Sequence, residues 1–181
     1  MFTLQQAITL ARKAHKGQWR SPVLLSQGPG ILITDRVMSS MMYDKVREPV
    51  ILPNGNKLTY CKNYKQWHLY EPYITHPLAV MNMMTTEEEK IVAVLHDVIE
   101  DTYITFDDLE LAGISENCLE ALMLLTHTIN EDYSQYISKI HLNKLATKVK
   151  LADVFHNMLC NPSEHAKQTY LKTIPILLQN L

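Results

Sequence analysis

His96-Asp97-Val98-Ile99-Glu100-Asp101 closes the apolar run that begins near Ile91, and its reading decides the fold. It sets four ionisable side chains within six residues. On a helix each residue advances about 100°, so with His96 as origin Glu100 falls at about 40°, Asp97 at about 100° and Asp101 at about 140°. Ile91, Val92, Val94, Leu95, Val98 and Ile99 occupy the opposite arc, and small Ala93 falls among the polar group. The spacing predicts a core helix with one dense ionisable stripe. Three carboxylates and an imidazole on one face repel and desolvate one another unless they share a cation. The competing reading is a solvated acidic helix end.

Outward from this stretch the pattern stays helical. Thr86 and Glu89 form a capping box, and Glu87 and Glu88 suit the positive helix end. Upstream, Pro77 suits a first helical turn, followed by Leu78, Val80, Met81 and Met84. Thr3 with Gln6 caps a first helix over 4–16, which Gly17 stops. Downstream, Thr105 with Asp108 opens a short helix ending at Gly113, and Ser115 caps the next. Residues 132–140, 143–159 and 163–179 complete an all-α order. No internal repeat or heptad pattern is present.

Residues 22–70 break this order. Pro22, Gly28, Pro29, Gly30, Pro49, Pro53 and Gly55 exclude a long helix. Ile31-Leu32-Ile33 reads as a short strand. Val50-Ile51-Leu52 and Lys57-Leu58-Thr59-Tyr60, joined through Asn54-Gly55, read as a β-hairpin. Tyr60, Tyr64, Trp67 and Tyr70 make its end aromatic. The segment either packs its own aromatics or forms a lid or wall over a site. The expectation is one domain over 1–181, an α-helical bundle with an inserted loop and β-hairpin excursion at about 22–70.

The totals narrow the function classes. With 46% hydrophobic residues the 181-residue chain can fill a core. A net charge of −2 supplies no global field for DNA or RNA, so no nucleic-acid partner is expected. Only 5 glycines disfavour a phosphate-cradling glycine loop. Cys61, Cys118 and Cys160 form no C-x-x-C, which points to reduced thiols in a cytoplasmic setting. The N-terminus has no apolar signal-peptide core, and no run approaches the ~18–20 residues needed to cross a bilayer, so no membrane association is expected. The sequence leaves the oligomeric state open.

A His-Asp pair needs further ligands to hold a metal. His76, in Tyr73-Ile74-Thr75-His76-Pro77, and Asp153, in Lys150-Leu151-Ala152-Asp153, are the candidates. Taken singly, His76 can serve as a helix cap, and Asp153 can pair with Lys150 three residues before it. Two imidazoles and two carboxylates suit Mn²⁺, Fe²⁺ or Zn²⁺, and ligand type does not choose among them. Glu100 and Asp101 lie one turn beyond the pair, placed to accept a water's proton or orient the water. His15, His68, His127, His141, His156 and His165 follow no ligand spacing and read as packed or surface residues.

Together, Ala14-His15-Lys16-Gly17-Gln18, Glu71-Pro72-Tyr73-Ile74-Thr75-His76-Pro77, Leu95-His96-Asp97-Val98-Ile99-Glu100-Asp101-Thr102 and Lys150-Leu151-Ala152-Asp153 with Asn157 resemble the hydrolase domain of RelA/SpoT-type enzymes. These belong to the HD phosphohydrolase superfamily, and in size the chain is most similar to stand-alone small alarmone hydrolases. The resemblance covers roughly 1–21 and 70–181. It implies a helical HD-domain bundle and a Mn²⁺ site built from His76, His96, Asp97 and Asp153. It implies that Glu100 and Asp101 serve water attack. The implied reaction removes pyrophosphate from the 3′ position of ppGpp or pppGpp, leaving GDP or GTP.

By the same resemblance Arg20 packs on the nucleotide base, and its flat guanidinium suits that contact. Asn157, Lys167 and Tyr170 are the other implied substrate-binding residues. The chain departs from the family pattern where Ser21 replaces a lysine, Ala166 a phosphate-facing arginine and Val154 a basic residue. The metal and water machinery is thus kept while the substrate wall is rebuilt. Two alternatives stay open: an HD-type phosphatase on a nucleoside monophosphate or NADPH, and a catalytically silent nucleotide-binding module.

Overall fold

The fold is that of a computed structural model describing residues 2–20, 23–24, 49–61, 66–160, 162–179 and 181. The expected strand at 31–33 lies outside the described residues, as do Ser21 and Tyr64. Contacts divide the chain into two compact units, Met1–Lys16 with Ile74–Leu181, and Gly17–Tyr73.

The first unit is all-α. Its helices are α1 (Leu4–Ala14), α2 (Thr75–Asn82), α3 (Glu87–Leu95), α4 (Val98–Asp101), α5 (Phe106–Leu111), α6 (Glu116–Leu125), α7 (Tyr133–His141), α8 (Lys144–Leu159) and α9 (Glu164–Leu178). The hub is α3, which packs against α1, α2, α6 and α8. Its sequence dictates this, because Ile91-Val92-Ala93-Val94-Leu95 are all buried and leave that half of the helix no polar face to turn to water. Ala7, Ala11 and Ala14 form the buried stripe of α1, and their small side chains let it approach α3 closely.

The caps read from the sequence are present. Thr3–Gln6, Thr86–Glu89 and Thr105–Asp108 all make reciprocal capping boxes, and Ser115 Oγ accepts from Cys118 N. Gly17 and Gly113 follow α1 and α5 with φ of +83° and +84°, a left-handed conformation that stops a helix at little steric cost for glycine.

One expectation needs correcting. The ionisable stripe does not ride on one continuous helix. α3 ends at Leu95, His96 and Asp97 form a turn, and α4 starts at Val98. Asp97 sits at φ −97°, ψ −3°, between helical and turn geometry, and its carbonyl accepts the Asp101 amide at 2.9 Å. The wheel placed the two side chains about 100° apart, yet at this turn their tips, His96 Nε2 and Asp97 Oδ2, lie 3.1 Å apart.

The second unit carries an antiparallel sheet of β1 (Val23–Leu24), β2 (Val50–Ile51), β3 (Lys57–Cys61) and β4 (Gln66–Tyr70), in the order β1-β4-β3-β2. The expected hairpin is the β2–β3 pair, with Val50 opposite Leu58. Gly55, at φ +87°, donates its amide to Leu52 O, and Asn54 Oδ1 accepts the Asn56 amide. Sequence reading missed β1 and β4. Leu58 and Leu69, opposite one another on β3 and β4, are both buried. The ammonium of Lys57 lies 5.5 Å from the Trp19 ring centre and 5.6 Å from that of Tyr70.

Candidate metal centre

The site is built within the first unit by three separated segments. Pro77 occupies the first turn of α2, where its missing N–H leaves no helical bond unmade. That start places His76 inside the helix, buried, and not as a cap: no side chain caps α2. The turn after α3 supplies His96 and Asp97, and α8 supplies Asp153.

The four side chains converge. His76 Nε2 is 3.1 Å from Asp153 Oδ1 and 3.5 Å from Asp97 Oδ2. His96 Nε2 is 3.1 Å from Asp97 Oδ2 and 3.7 Å from Asp153 Oδ1. His76, His96 and Asp97 each offer a ligand atom, all within 4.8 Å of one another. Two ring nitrogens thus face two carboxylate oxygens around one point.

The far atoms of these groups are held as well. His96 Nδ1 donates to Ala93 O at 2.8 Å, which leaves Nε2 pointed into the cluster. His96 Nε2 is buried and makes no hydrogen bond, although two carboxylates flank it. A buried polar atom left this way normally has a missing partner, and a cation between these donors supplies one. Asp153 Oδ2 takes the Lys150 ammonium at 2.9 Å, and Oδ1 accepts from Asn157 Nδ2 at 2.6 Å. The Lys150 pairing and the site-facing role of Asp153 therefore coexist, one on each oxygen. His76 Nδ1 lies 2.8 Å from His156 Nδ1.

The charges are strongly perturbed. Burial disfavours a charge on His96, but Asp97 and Asp153 outweigh it and push the imidazole up to about 10. Burial likewise opposes ionisation of Asp97, yet His96 draws its carboxyl down to about 2. Burial lowers His76, more than the adjacent Asp153 carboxylate raises it. Asp153 is held well below the carboxylate range because Lys150 and the two histidines overcome its desolvation. The protein thus keeps both carboxylates ionised, the state in which they ligate metals.

Glu100 stands on α4, one turn from Asp97, and its Oε1 accepts the His127 amide at 2.5 Å. The residue as a whole is exposed, but its carboxyl is partly desolvated and shifts upward, helped by Asp97 and opposed by the His127 amide. Asp101 is exposed at the end of α4. Lys167 and Tyr170 both lie on α9, and Lys167 lines a cavity of about 380 Å³ with Met158, Leu159, Pro162 and Glu164. Arg20 belongs to the second unit, where its guanidinium lies 6.0 Å from the Tyr73 ring centre and its amide donates to Glu71 O.

Sequence reading missed His156, taken as a packed or surface residue. The available signal was its spacing of three from Asp153, which puts both on one face of α8.

No family model matches the chain. It is 33% identical over 102 residues to the bifunctional (p)ppGpp synthase/hydrolase SpoT of Escherichia coli, a match covering 49% of this chain and 14% of SpoT. It is 34% identical over 118 residues to the mouse guanosine-3′,5′-bis(diphosphate) 3′-pyrophosphohydrolase MESH1, and 31% identical over 123 residues to the human one. Those two matches cover 56% of this chain and 66% of each MESH1. The chain is thus similar to RelA/SpoT-type HD-domain hydrolases. The fold agrees: a solved metazoan ortholog of SpoT that hydrolyzes ppGpp superposes with a TM-score of 0.58 at 17% identity, over 98% of this chain and 84% of that one. The matched length is a small part of SpoT and just under two thirds of MESH1. No helix among the described residues is long and apolar enough to cross a membrane.

Proposed function

We propose that the chain is a metal-dependent phosphohydrolase that removes pyrophosphate from the 3′ position of ppGpp or pppGpp, leaving GDP or GTP. The observation that carries this reading is the convergence of His76, His96, Asp97 and Asp153, with a partly desolvated Glu100 one turn away. The relatives named ppGpp 3′-pyrophosphohydrolase supply the substrate.

In this proposal the four residues hold a divalent cation, Mn²⁺ before Fe²⁺ or Zn²⁺. A cation bound there polarises the phosphoryl group and makes water a stronger acid. The chain's own groups do the rest. Glu100, shifted upward, accepts the water's proton, and its hydrogen bond from the His127 amide fixes the direction of its carboxylate. Asp101 orients the same water. Lys150 and Asn157 keep Asp153 from rotating away. Arg20 stacks on the base, and Asn157, Lys167 and Tyr170 contact the substrate's polar and anionic groups. The reaction belongs in the cytoplasm, where a thiol such as that of Cys118 stays reduced.

The test is to incubate the purified chain with Mn²⁺ and a panel of ppGpp, pppGpp, nucleoside monophosphates and NADPH, then separate products by anion exchange. GDP and pyrophosphate from ppGpp are expected. Far faster turnover of another nucleotide overturns the substrate, and tight ppGpp binding without product overturns the enzyme.

A further inference from the structure

His96 and His76 meet the metal centre with the same atom, Nε2, but they are held from behind in different ways. An imidazole that offers Nε2 to a cation carries its proton on Nδ1, and that proton needs an acceptor. For His96 the acceptor is Ala93 O, a carbonyl of its own helix, at 2.8 Å. For His76 the atom facing Nδ1 is another ring nitrogen, His156 Nδ1, also at 2.8 Å. The ring centres are 4.8 Å apart with the planes tilted by 46°.

We propose that His156 is a positioning residue, which accepts the Nδ1–H of His76 on its own Nδ1 and so fixes the His76 tautomer whose bare Nε2 faces Asp97 and Asp153. The inference rests on the metal reading given above. Only one proton fits between two nitrogens 2.8 Å apart. When it belongs to His76, His156 carries its own proton on Nε2. When it belongs to His156, His76 Nε2 is protonated and cannot be a ligand. His156 is half-buried, so its Nε2–H can be served by solvent. α8 therefore contributes twice from one face: Asp153 directly, and His156, three residues on, through His76. Cys160 continues the line, its Sγ 3.8 Å from His156 Nδ1.

The experiment compares wild type with His156→Asn and His156→Phe. Asparagine Oδ1 stands near the place of the imidazole Nδ1 and can accept the same proton, whereas phenylalanine keeps a ring and removes the acceptor. Mn²⁺ affinity is measured by titration calorimetry. The imidazole protons are assigned in the Zn²⁺-loaded, diamagnetic protein by long-range ¹H–¹⁵N correlation. Expected are His76 protonated on Nδ1 with His156 protonated on Nε2 in wild type, a ~10–100-fold loss of Mn²⁺ affinity in His156→Phe, and recovery of most of it in His156→Asn. Unchanged affinity in His156→Phe, equal losses in both variants, or a His76 proton on Nε2 overturns the inference. If the phenylalanine variant does not fold, the wild-type spectrum and the asparagine variant decide. Should wild type take up neither Mn²⁺ nor Zn²⁺, the metal reading falls and this inference with it; should wild type bind while His156→Phe binds equally well, only this inference falls.

Discussion

Lys150 and buried Asp153 form an ion pair, Nζ to Oδ2 at 2.9 Å, on the one oxygen of that carboxylate that does not face the two histidines. The Lys150 ammonium also lies 5.3 Å from the centre of the Tyr136 ring. Burial disfavours this ammonium, but Asp153 and Tyr136 more than compensate, so it stays charged. Replacing Lys150 with Met leaves a buried carboxylate without its cation. We expect a loss of about 3 kcal/mol in the metal-free protein. Saturating Mn²⁺ should shrink that loss, because a bound cation restores the missing positive charge and binds only the folded state. Urea denaturation with and without Mn²⁺ checks both halves.

The ligand set predicts a sharp metal requirement. His96→Ala and Asp97→Ala should each lower Mn²⁺ affinity by more than the ~100-fold typical of losing an outer partner of a metal site. Chelation should abolish wild-type turnover and added Mn²⁺ should restore it, while neither treatment rescues the variants. Calorimetry and product analysis on the same samples give the answer.

Glu100 touches no proposed ligand through a hydrogen bond among the described contacts, so its removal should separate chemistry from binding. Glu100→Gln keeps an oxygen for the His127 amide. We expect kcat to fall ~10²–10⁴-fold, the usual worth of a positioned base, with Mn²⁺ affinity nearly unchanged. A variant with full kcat would remove Glu100 from the mechanism.

Glu89 gives a pH prediction away from the metal. Its Oε1 accepts from Lys148 at 2.6 Å and its Oε2 from the Thr85 and Thr86 amides at 2.9 and 3.0 Å. Lys148 and those amides draw the carboxyl from 4.5 down to about 2. A folded value below the unfolded one means the stabilisation is complete above pH 4.5 and is lost as pH falls through about 2. Wild type should therefore exceed Glu89→Gln in Tm at neutral pH, and the gap should close between those two values. A gap that stays open down to about pH 2 would show that the carboxylate charge is not its source.

Much of this was written in local chemistry. Thr3, Thr86, Thr105 and Ser115 announced helix starts because a capping hydroxyl needs only the next three residues. The hairpin around Asn54-Gly55 was legible for the same reason. The other strands were not: β1 pairs with β4 far along the chain and Val23–Leu24 is too short to show a period, while β4 follows β3 with no Asn-Gly pair in Lys62-Asn63-Tyr64-Lys65 to mark a turn. At the candidate metal centre, residue types and order singled out His76, His96, Asp97 and Asp153, and their side chains lie together in the structure. His156 stayed hidden because its spacing of three from Asp153 puts it on the same face of α8 but does not say that it meets the far nitrogen of His76.

The interruption between α3 and α4 makes a pincer of two consecutive residues. Along an unbroken coil, side chains that adjoin in sequence splay apart, and a chelate demands residues three or four apart. By breaking the rod at the point of grip, the chain lets adjoining peptides act as opposed jaws, their tips 3.1 Å apart. A residue added to or removed from that corner would swing one jaw out of the bite, so here the backbone's discontinuity is itself the instrument.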